Sequence, residues 1–476
     1  MSYYKDEEER RKRIAEHLKV LPQATLDEIE KECATGDYTH VHILSHGVPA
    51  PKGDDERFGL ALHDRVNPAQ TDIVDGERLA KALRPPRRDG RTGFARPVIV
   101  TLAACNAGNP GEVTSPGASI AHALHAEGVP LVVASQFPLS FAGSVIMTRV
   151  LYRGFLTGED PRQLLVYLRR ELLTQCPEAH DWASIVAYAS FPQKFDELLA
   201  NMQLWQTFRR FEAAINHIDR PQAPDEKIWD NEMKRVEEAR RRFDLLLDKA
   251  KESANGKKPE HQDESKVSGI VASAEKRIAE LRWRMAVAWN RENPERPPDK
   301  DPEELDLKDE IDVRDGLLNS RKFYEETFKR NRSQVWALVQ VLALTAVVRK
   351  WNPEPEHERS VARWELARRF SEEELGLGNP ERLSWANANL MELYILASVF
   401  PETEIAAEEA QSKAIKYAMA FRSVTELKSV NLHSTRRQML RYINFFRKVN
   451  EDMQPAADLA EKVLKILPES QFRPAS

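Results

Sequence analysis

Two short apolar runs, each closed by small or turn-forming residues, organise the N-terminal part of the chain. Val98, Ile99, Val100 and Leu102 form an uncharged, partly β-branched run, which predicts a strand buried on both faces of a parallel sheet. The run ends in Ala103, Ala104 and Cys105, followed by the turn cluster Asn-Ala-Gly-Asn-Pro-Gly. Val41, Ile43 and Leu44 predict a second buried strand, which His46-Gly47 closes at the same kind of strand-to-loop junction. Residues 58–62 and 131–134 read as further strands, and residues 63–70 as a turn.

Helices fill the intervals. Residues 5–18 read as helical and 19–22 as a short strand. Residues 25–33 predict a helix with Thr25 as N-cap and Glu28 completing a capping box. Residues 75–83 and 118–127 read as helices, the second rich in small residues that permit close packing on a sheet. Further on, Leu164, Leu165, Leu168 and Leu172 form an apolar helical stripe. The expected fold is therefore an α/β domain with a mostly parallel sheet flanked by helices.

From about Lys194 the pattern changes to long helices rich in Glu, Lys, Arg and Leu, with no strand-like run. Polar stretches at 252–267 and 292–304 read as flexible, exposed linkers. The expected organisation is an α/β domain over 1–193, a charged helical region over 194–330 and a helical bundle over 331–476. Within that bundle WANANLMELYILASVF and AAEEAQSKAIKYAMAF vaguely resemble TPR-type helical hairpins, though no clean 34-residue period emerges; a plain bundle is the alternative. The apolar run 335–348 is too short to span a bilayer and contains Gln340 and Thr345, so it reads as a buried helix.

Composition narrows the function. A chain of 476 residues is long enough for two or three domains. A net charge of −5 gives no overall basic field pointing to nucleic acid. Three cysteines, Cys33, Cys105 and Cys176, make no disulfide framework, which implies a reducing compartment. The charged opening MSYYKDEEERRKR has no apolar signal-peptide core, so a cytoplasmic location is expected.

The chemistry lies at the two strand ends. His46 and Cys105 are 59 residues apart, room for one strand-loop-helix unit. Parallel neighbouring strands would bring imidazole and sulfur together at one edge of the sheet, where α/β sheets place ligand chemistry. Histidine can take the thiol proton and leave a nucleophilic thiolate. A core thiol and an ordinary edge histidine are the bland alternatives. A rival constellation is His40 and His42, which share a strand face and with His46 resemble a zinc cluster; no later acidic or histidine cluster completes it.

The motifs HILSHG, FGLALHD, TLAACNAG, GASIAHALHAEGVPLVVASQFPLS, VLYRGFLTGEDPRQLLVYLRREL and DWASIVAYASF occur in that order. Together, over roughly residues 3–191, they resemble the CHAT domain, a caspase-like cysteine peptidase domain related to caspases and separase. The resemblance implies Cys105 as nucleophile, His46 as general base, and the backbone N–H groups of Gly47 and Cys105 as an oxyanion hole. It maps the substrate pocket to Ala103, Ser135, Gln136 and Phe137. None of these is charged, so no preference for an acidic or basic substrate residue is written there. Asp54, Asp55 and Asp64 are the nearest acids for a basic substrate residue. The pattern requires no third catalytic residue, although Asn106 is available. Peptidase chemistry of this type needs no metal or cofactor. A caspase-like sheet should begin with one more buried strand, and nothing upstream of residue 25 supplies it.

The resemblance further implies a protein substrate, a regulatory or sensor protein bound by the helical region, no membrane, and a role as a regulated effector in bacterial defence or cell death. The alternative is a catalytically silent scaffold whose helical region mediates protein–protein interaction. Loops 49–57 and 106–117, rich in Gly and Pro, border the expected site and read as mobile, able to become ordered when a partner engages.

Overall fold

The structure is a computed structural model that describes residues 15–49, 58–67, 69–86, 97–109, 119–218, 226–254, 264–293, 297, 300–351, 357–376 and 378–471. The chain divides into two compact units, Met1–Leu199 and Ala200–Ser476.

The first unit holds seven strands among its described residues: β1 (His40–Leu44), β2 (His46–Pro49), β3 (Phe58–His63), β4 (Thr71–Val74), β5 (Ile99–Ala103), β6 (Leu131–Ser135) and β7 (Ile185–Ala189). The main sheet has the order β1-β5-β6-β7, with β1, β5 and β6 parallel and β7 antiparallel to β6. β5 and β6 are buried along their whole length, as expected of inner strands covered on both faces. A separate antiparallel sheet has the order β2-β3-β4.

Helices cover both faces of the main sheet. On one side α1 (Leu26–Thr35), α2 (Gly76–Leu83) and α3 (Ile120–Ala126) bury Ile29, Leu79, Leu83 and Leu124 against Ile43, Val100, Leu102, Val132 and Ala134. Leu60, Leu62 and Val74 of the small sheet join the same core. On the other side α4 (Phe141–Thr157) and α5 (Pro161–Gln175) bury Met147, Leu151, Leu164, Leu168 and Leu172 against Ile99, Ala103, Leu131 and Val133. Alternate residues of β5 thus feed opposite cores, the period of two that a strand imposes. A one-turn helix, α6 (Asp181–Ser184), leads into β7.

The expected mostly parallel sheet and the capping box of α1 are found. The Thr25 hydroxyl accepts the Glu28 N–H at 3.2 Å, and the Glu28 carboxylate accepts the Thr25 N–H at 2.9 Å. Among the described residues no strand precedes β1, which is the edge of its sheet. Three expectations need correction. Residues 19–22 form no strand, because the chain there turns directly into α1. Thr71–Val74, too short and polar to stand out, is a strand pairing with β3. Leu44 is 66% exposed rather than buried, since it lies at the open end of that edge strand. The helix expected from residue 5 lies outside the described residues as far as residue 14.

The second unit is helical: α7 (Phe195–Ile218), in which the division between units falls, then α8 (Glu226–Ala254), α9 (Glu264–Glu292), α10 (Leu307–Arg330), α11 (Val335–Val348), α12 (His357–Leu375), α13 (Pro380–Ala397), α14 (Ala407–Val424) and α15 (Val430–Arg441). α15 runs through a π-helical turn, Tyr442–Phe446, into a last short turn, and α16 (Gln454–Leu464) follows. α11 is apolar on every side and all of it but Trp336 and Gln340 is buried, so it serves as the axis of the bundle. The linker expected over 252–267 ends earlier than its polar composition implied. Glu264–Val267 is helical and packed, with Arg330 2.8 Å from the Glu264 carboxylate.

The role of the double-sided core is testable. Leu102 is fully buried between β5 and the α1–α3 face. Leu102→Ala should cost about 2–5 kcal/mol in denaturant unfolding, and Val66→Ala, at an exposed turn, less than about 0.5 kcal/mol.

Candidate active site

The carboxyl ends of β1 and β5 lie side by side. The parallel register pairs His42 with Thr101, Ile43 with Leu102 and Leu44 with Ala103. The ladder ends with the Ser45 N–H donating to the Ala103 carbonyl at 3.4 Å. Beyond this bond the β1–β5 pairing ends; His46 lies two residues past the end of β1 and Cys105 two past the end of β5. The Ser45 hydroxyl donates to the Ala61 carbonyl at 2.7 Å, and at this point the chain leaves the main sheet for the small one. His46 therefore does not simply close β1 into a loop. It opens β2, paired with Ala61, and is exposed.

Gly47 is pressed onto the Cys105 peptide. A Cβ built at Gly47 would lie 1.6 Å from the Cys105 carbonyl oxygen and 3.3 Å from its nitrogen. No side chain fits there, so glycine is a geometric requirement of this approach.

Cys105 sits just past the end of β5, half-buried, as a free thiol. Its sulfur accepts the Leu139 N–H at 3.4 Å and lies 3.8 Å from the Leu139 carbonyl. The N–H is positioned to hold negative charge on sulfur. Asn106 follows with φ of +56°, a left-handed conformation that asparagine tolerates, and its N–H donates to the Phe137 carbonyl at 3.3 Å. The Gly108 N–H donates to the Ser135 carbonyl at 2.8 Å. The turn after Cys105 is thereby laced to the segment after β6.

Leu139 owes its place to a buried carboxylate. Asp181 is 2% exposed; it accepts the Ser140 N–H at 3.0 Å and the Ser140 hydroxyl at 2.5 Å. Ser140 in turn caps α4 by accepting the Gly143 N–H at 2.9 Å. A Cβ at Gly143 would stand 2.2 Å from the Asp181 carboxylate, so this corner also requires glycine. Sequence reasoning missed Leu139, Ser140 and Asp181. The available signals were a serine ahead of a helical run and the aspartate that opens the final motif.

The residues assigned to a substrate pocket separate into three kinds. Gln136 and Phe137 border the Cys105 turn, half-buried and 53% exposed respectively. Ala103 and Ser135 are buried. Ala103 belongs to the core under α4, and the Ser135 hydroxyl is occupied by Ser184 and the Phe137 carbonyl, both at 2.8 Å. Asp64 follows β3 and pins its own turn by accepting the Asn67 and Val66 N–H groups at 2.9 and 2.8 Å, and those bonds hold its carboxyl below the usual carboxylate range. No described contact brings it to Cys105. Asp54, Asp55 and nearly all of loop 49–57, with residues 110–117 of the second loop, lie outside the described residues.

His40 and His42 face α4. The His40 ring lies 6.0 Å from that of Phe155, and the His42 ring stands edge-on to Tyr152 at 5.4 Å with Nε2 3.4 Å from the Thr148 hydroxyl. Burial pushes both imidazoles below their ordinary value. Among the described residues no group of three or more His, Cys, Asp or Glu side chains is placed to share a metal ion. His46 goes with the small sheet, away from this aromatic face.

A mostly parallel α/β sheet whose carboxyl edge carries a half-buried cysteine beside a histidine-glycine pair defines the class of the first unit. The CHAT domain family model matches residues 6–190, which suggests a caspase-like protease fold for this part of the chain. No curated protein and no solved structure gives a significant match to the chain. Among the described residues no helix is long and apolar enough to cross a membrane.

Two outcomes follow from this geometry. Asp181→Ala leaves the half-buried Ser140 N–H without its acceptor, so it should lower stability by about 1–3 kcal/mol and speed amide exchange over residues 139–143. Because the folded-state pKa values of His40 and His42 are depressed, their contribution to stability is present above the unfolded value and lost as pH falls through the folded values. Denaturant midpoints of the wild type should therefore drop below about pH 6.5, and His42→Gln should flatten the drop.

Proposed function

We propose that this protein is a cysteine endopeptidase in which Cys105 is the nucleophile and His46 the general base. The observation that carries the reading is the close approach of the Gly47 backbone to the Cys105 peptide, where β1 and β5 end side by side in their parallel ladder. In the reaction, His46 takes the thiol proton and the sulfur attacks the scissile carbonyl carbon. The carbonyl oxygen becomes an oxyanion held by the Gly47 and Cys105 N–H groups. When the C–N bond breaks, the imidazolium returns its proton to the leaving amine and a thioester remains on Cys105. Water, deprotonated by His46, then hydrolyses the thioester and restores the thiol. No His46–Cys105 hydrogen bond is made among the described residues, and catalytic bonds of this kind commonly tighten only around bound substrate.

The Leu139 N–H, fixed through Ser140 and Asp181, supports the sulfur while it carries charge. The rim favours an apolar peptide segment. Leu44, Phe137 and Phe141 are 66%, 53% and 81% exposed at the carboxyl end of the sheet. Gln136 supplies a hydrogen-bonding group among them. The substrate is a protein, and the helical unit is the natural place for a regulatory partner. Its role is that of a regulated effector in bacterial defence or cell death, a reading taken from the resemblance to CHAT domains, and the three cysteines without a disulfide framework favour the cytoplasm.

The test is cleavage of a mixed peptide library by the full chain. Cys105→Ala and His46→Ala should each lower turnover by about 10³-fold or more, and the double variant should be little worse than either, because thiol and imidazole act as one unit. Substantial cleavage by the Cys105→Ala protein would overturn the assignment. A folded wild type that cleaves nothing, with or without candidate partners, would leave the domain as a scaffold.

A further inference from the structure

In the helical unit, α9 and the segment around the π-helical turn line an open pocket of about 460 Å³. Four cations, Arg284, Arg291, Arg447 and Lys448, line it against one carboxylate, Glu303. Glu303 is already shared by Lys448 at 2.7 Å and Arg291 at 3.8 Å. The nearby Glu280 is bound by Arg441 at 2.7 Å, so it too is engaged. The lining keeps an excess of positive charge.

The wall is shaped for this. In the π-helical turn Tyr442, Phe445 and Phe446 stay buried in the bundle core, while Ile443 and Asn444 line the pocket. Such turns interrupt helices mostly where a site needs the extra residue. Across from it, Trp283 and Val287 of α9 supply an apolar side, the Trp283 ring lying 5.6 Å from that of Phe445.

We propose that this pocket binds a small phosphorylated ligand with an aromatic or apolar part, its phosphates on Arg284, Arg447 and Lys448 and its apolar part against Trp283 and Ile443. The volume lies in the range of small-molecule sites. Guanidinium forks match phosphate oxygens in pairs. An acidic protein segment is the poorer fit, since the walls are helices whose backbone groups are already paired and offer no edge for an added strand.

The experiment is calorimetric titration of the full chain with ATP and with tripolyphosphate in the presence of EDTA, repeated at two salt concentrations. The expected result is saturable one-to-one binding of ATP, weaker binding of tripolyphosphate, and weakening of both by salt. Arg447→Gln and Lys448→Glu should each reduce ATP affinity about tenfold or more, whereas Arg422→Gln, at an exposed site on α14, should leave it unchanged. Lys448 is exposed, so its variant keeps the test valid if Arg447→Gln fails to fold. No saturable binding of either probe, or ATP binding indifferent to Lys448→Glu, would overturn the proposal. So would an acidic peptide that binds as tightly as ATP and loses the same affinity in Lys448→Glu, because the site would then serve a protein segment.

Discussion

The parallel ladder between β1 and β5 is the constraint on which the candidate site depends. Neither His46 nor Cys105 has a local environment that marks it out. The two strand ends are brought together by a register that pairs Leu44 with Ala103, and a glycine lets two backbones meet where no side chain fits. The ladder is held by burial on both faces, with Val100 and Leu102 in one core and Ile99 and Ala103 in the other. A one-residue slip would turn each of these to the wrong face. The hydrophobic pattern of β5 therefore also sets the chemistry at its end.

A second set of contacts trims the site. Asp181 comes from a one-turn helix 76 residues beyond Cys105, yet it fixes Ser140, and through Ser140 the Leu139 N–H that meets the sulfur. The same carboxylate stands where a Cβ on residue 143 would be. Closing β7 antiparallel onto β6 brings Ser184 to Ser135 and holds α6 in position. The last strand of the unit thus supports the site although it contributes none of the groups assigned to the chemistry.

Much of the fold was legible because its signals are local. The charge-free runs around Val100 and Val132 could only be inner strands, and Thr25 with Glu28 announced α1. The passage of the chain from one sheet to another at Ser45 was not legible. Val41 to Gly47 reads as one uninterrupted strand end, and only the Ser45–Ala61 bond separates it into two. Leu44 misled because its apolar side chain lies at an open edge, and Thr71–Val74 was hidden because a half-polar strand paired on one side needs no hydrophobic run. For the proposed site, Cys105 and His46 were singled out by residue type and position and Gly47 by the family resemblance, and the structure brings Gly47 against the Cys105 peptide. Ser135 was placed in the pocket by its position at a strand end, whereas its hydroxyl is spent on Ser184. The roles of Leu139 and Asp181 rest on a backbone N–H and a long-range contact, which no spacing rule reveals.

The central claim is that Cys105 is set apart from the other two thiols, Cys33 and Cys176, by the histidine beside it. It is tested most directly by treating the full chain with a peptidyl electrophile and mapping adducts on all three cysteines by mass spectrometry over time. The account predicts that Cys105 is modified first and that His46→Ala slows this reaction while leaving that of Cys176 unchanged. Equal labelling of Cys105 and Cys176, or labelling of Cys105 at the same rate without His46, would contradict it.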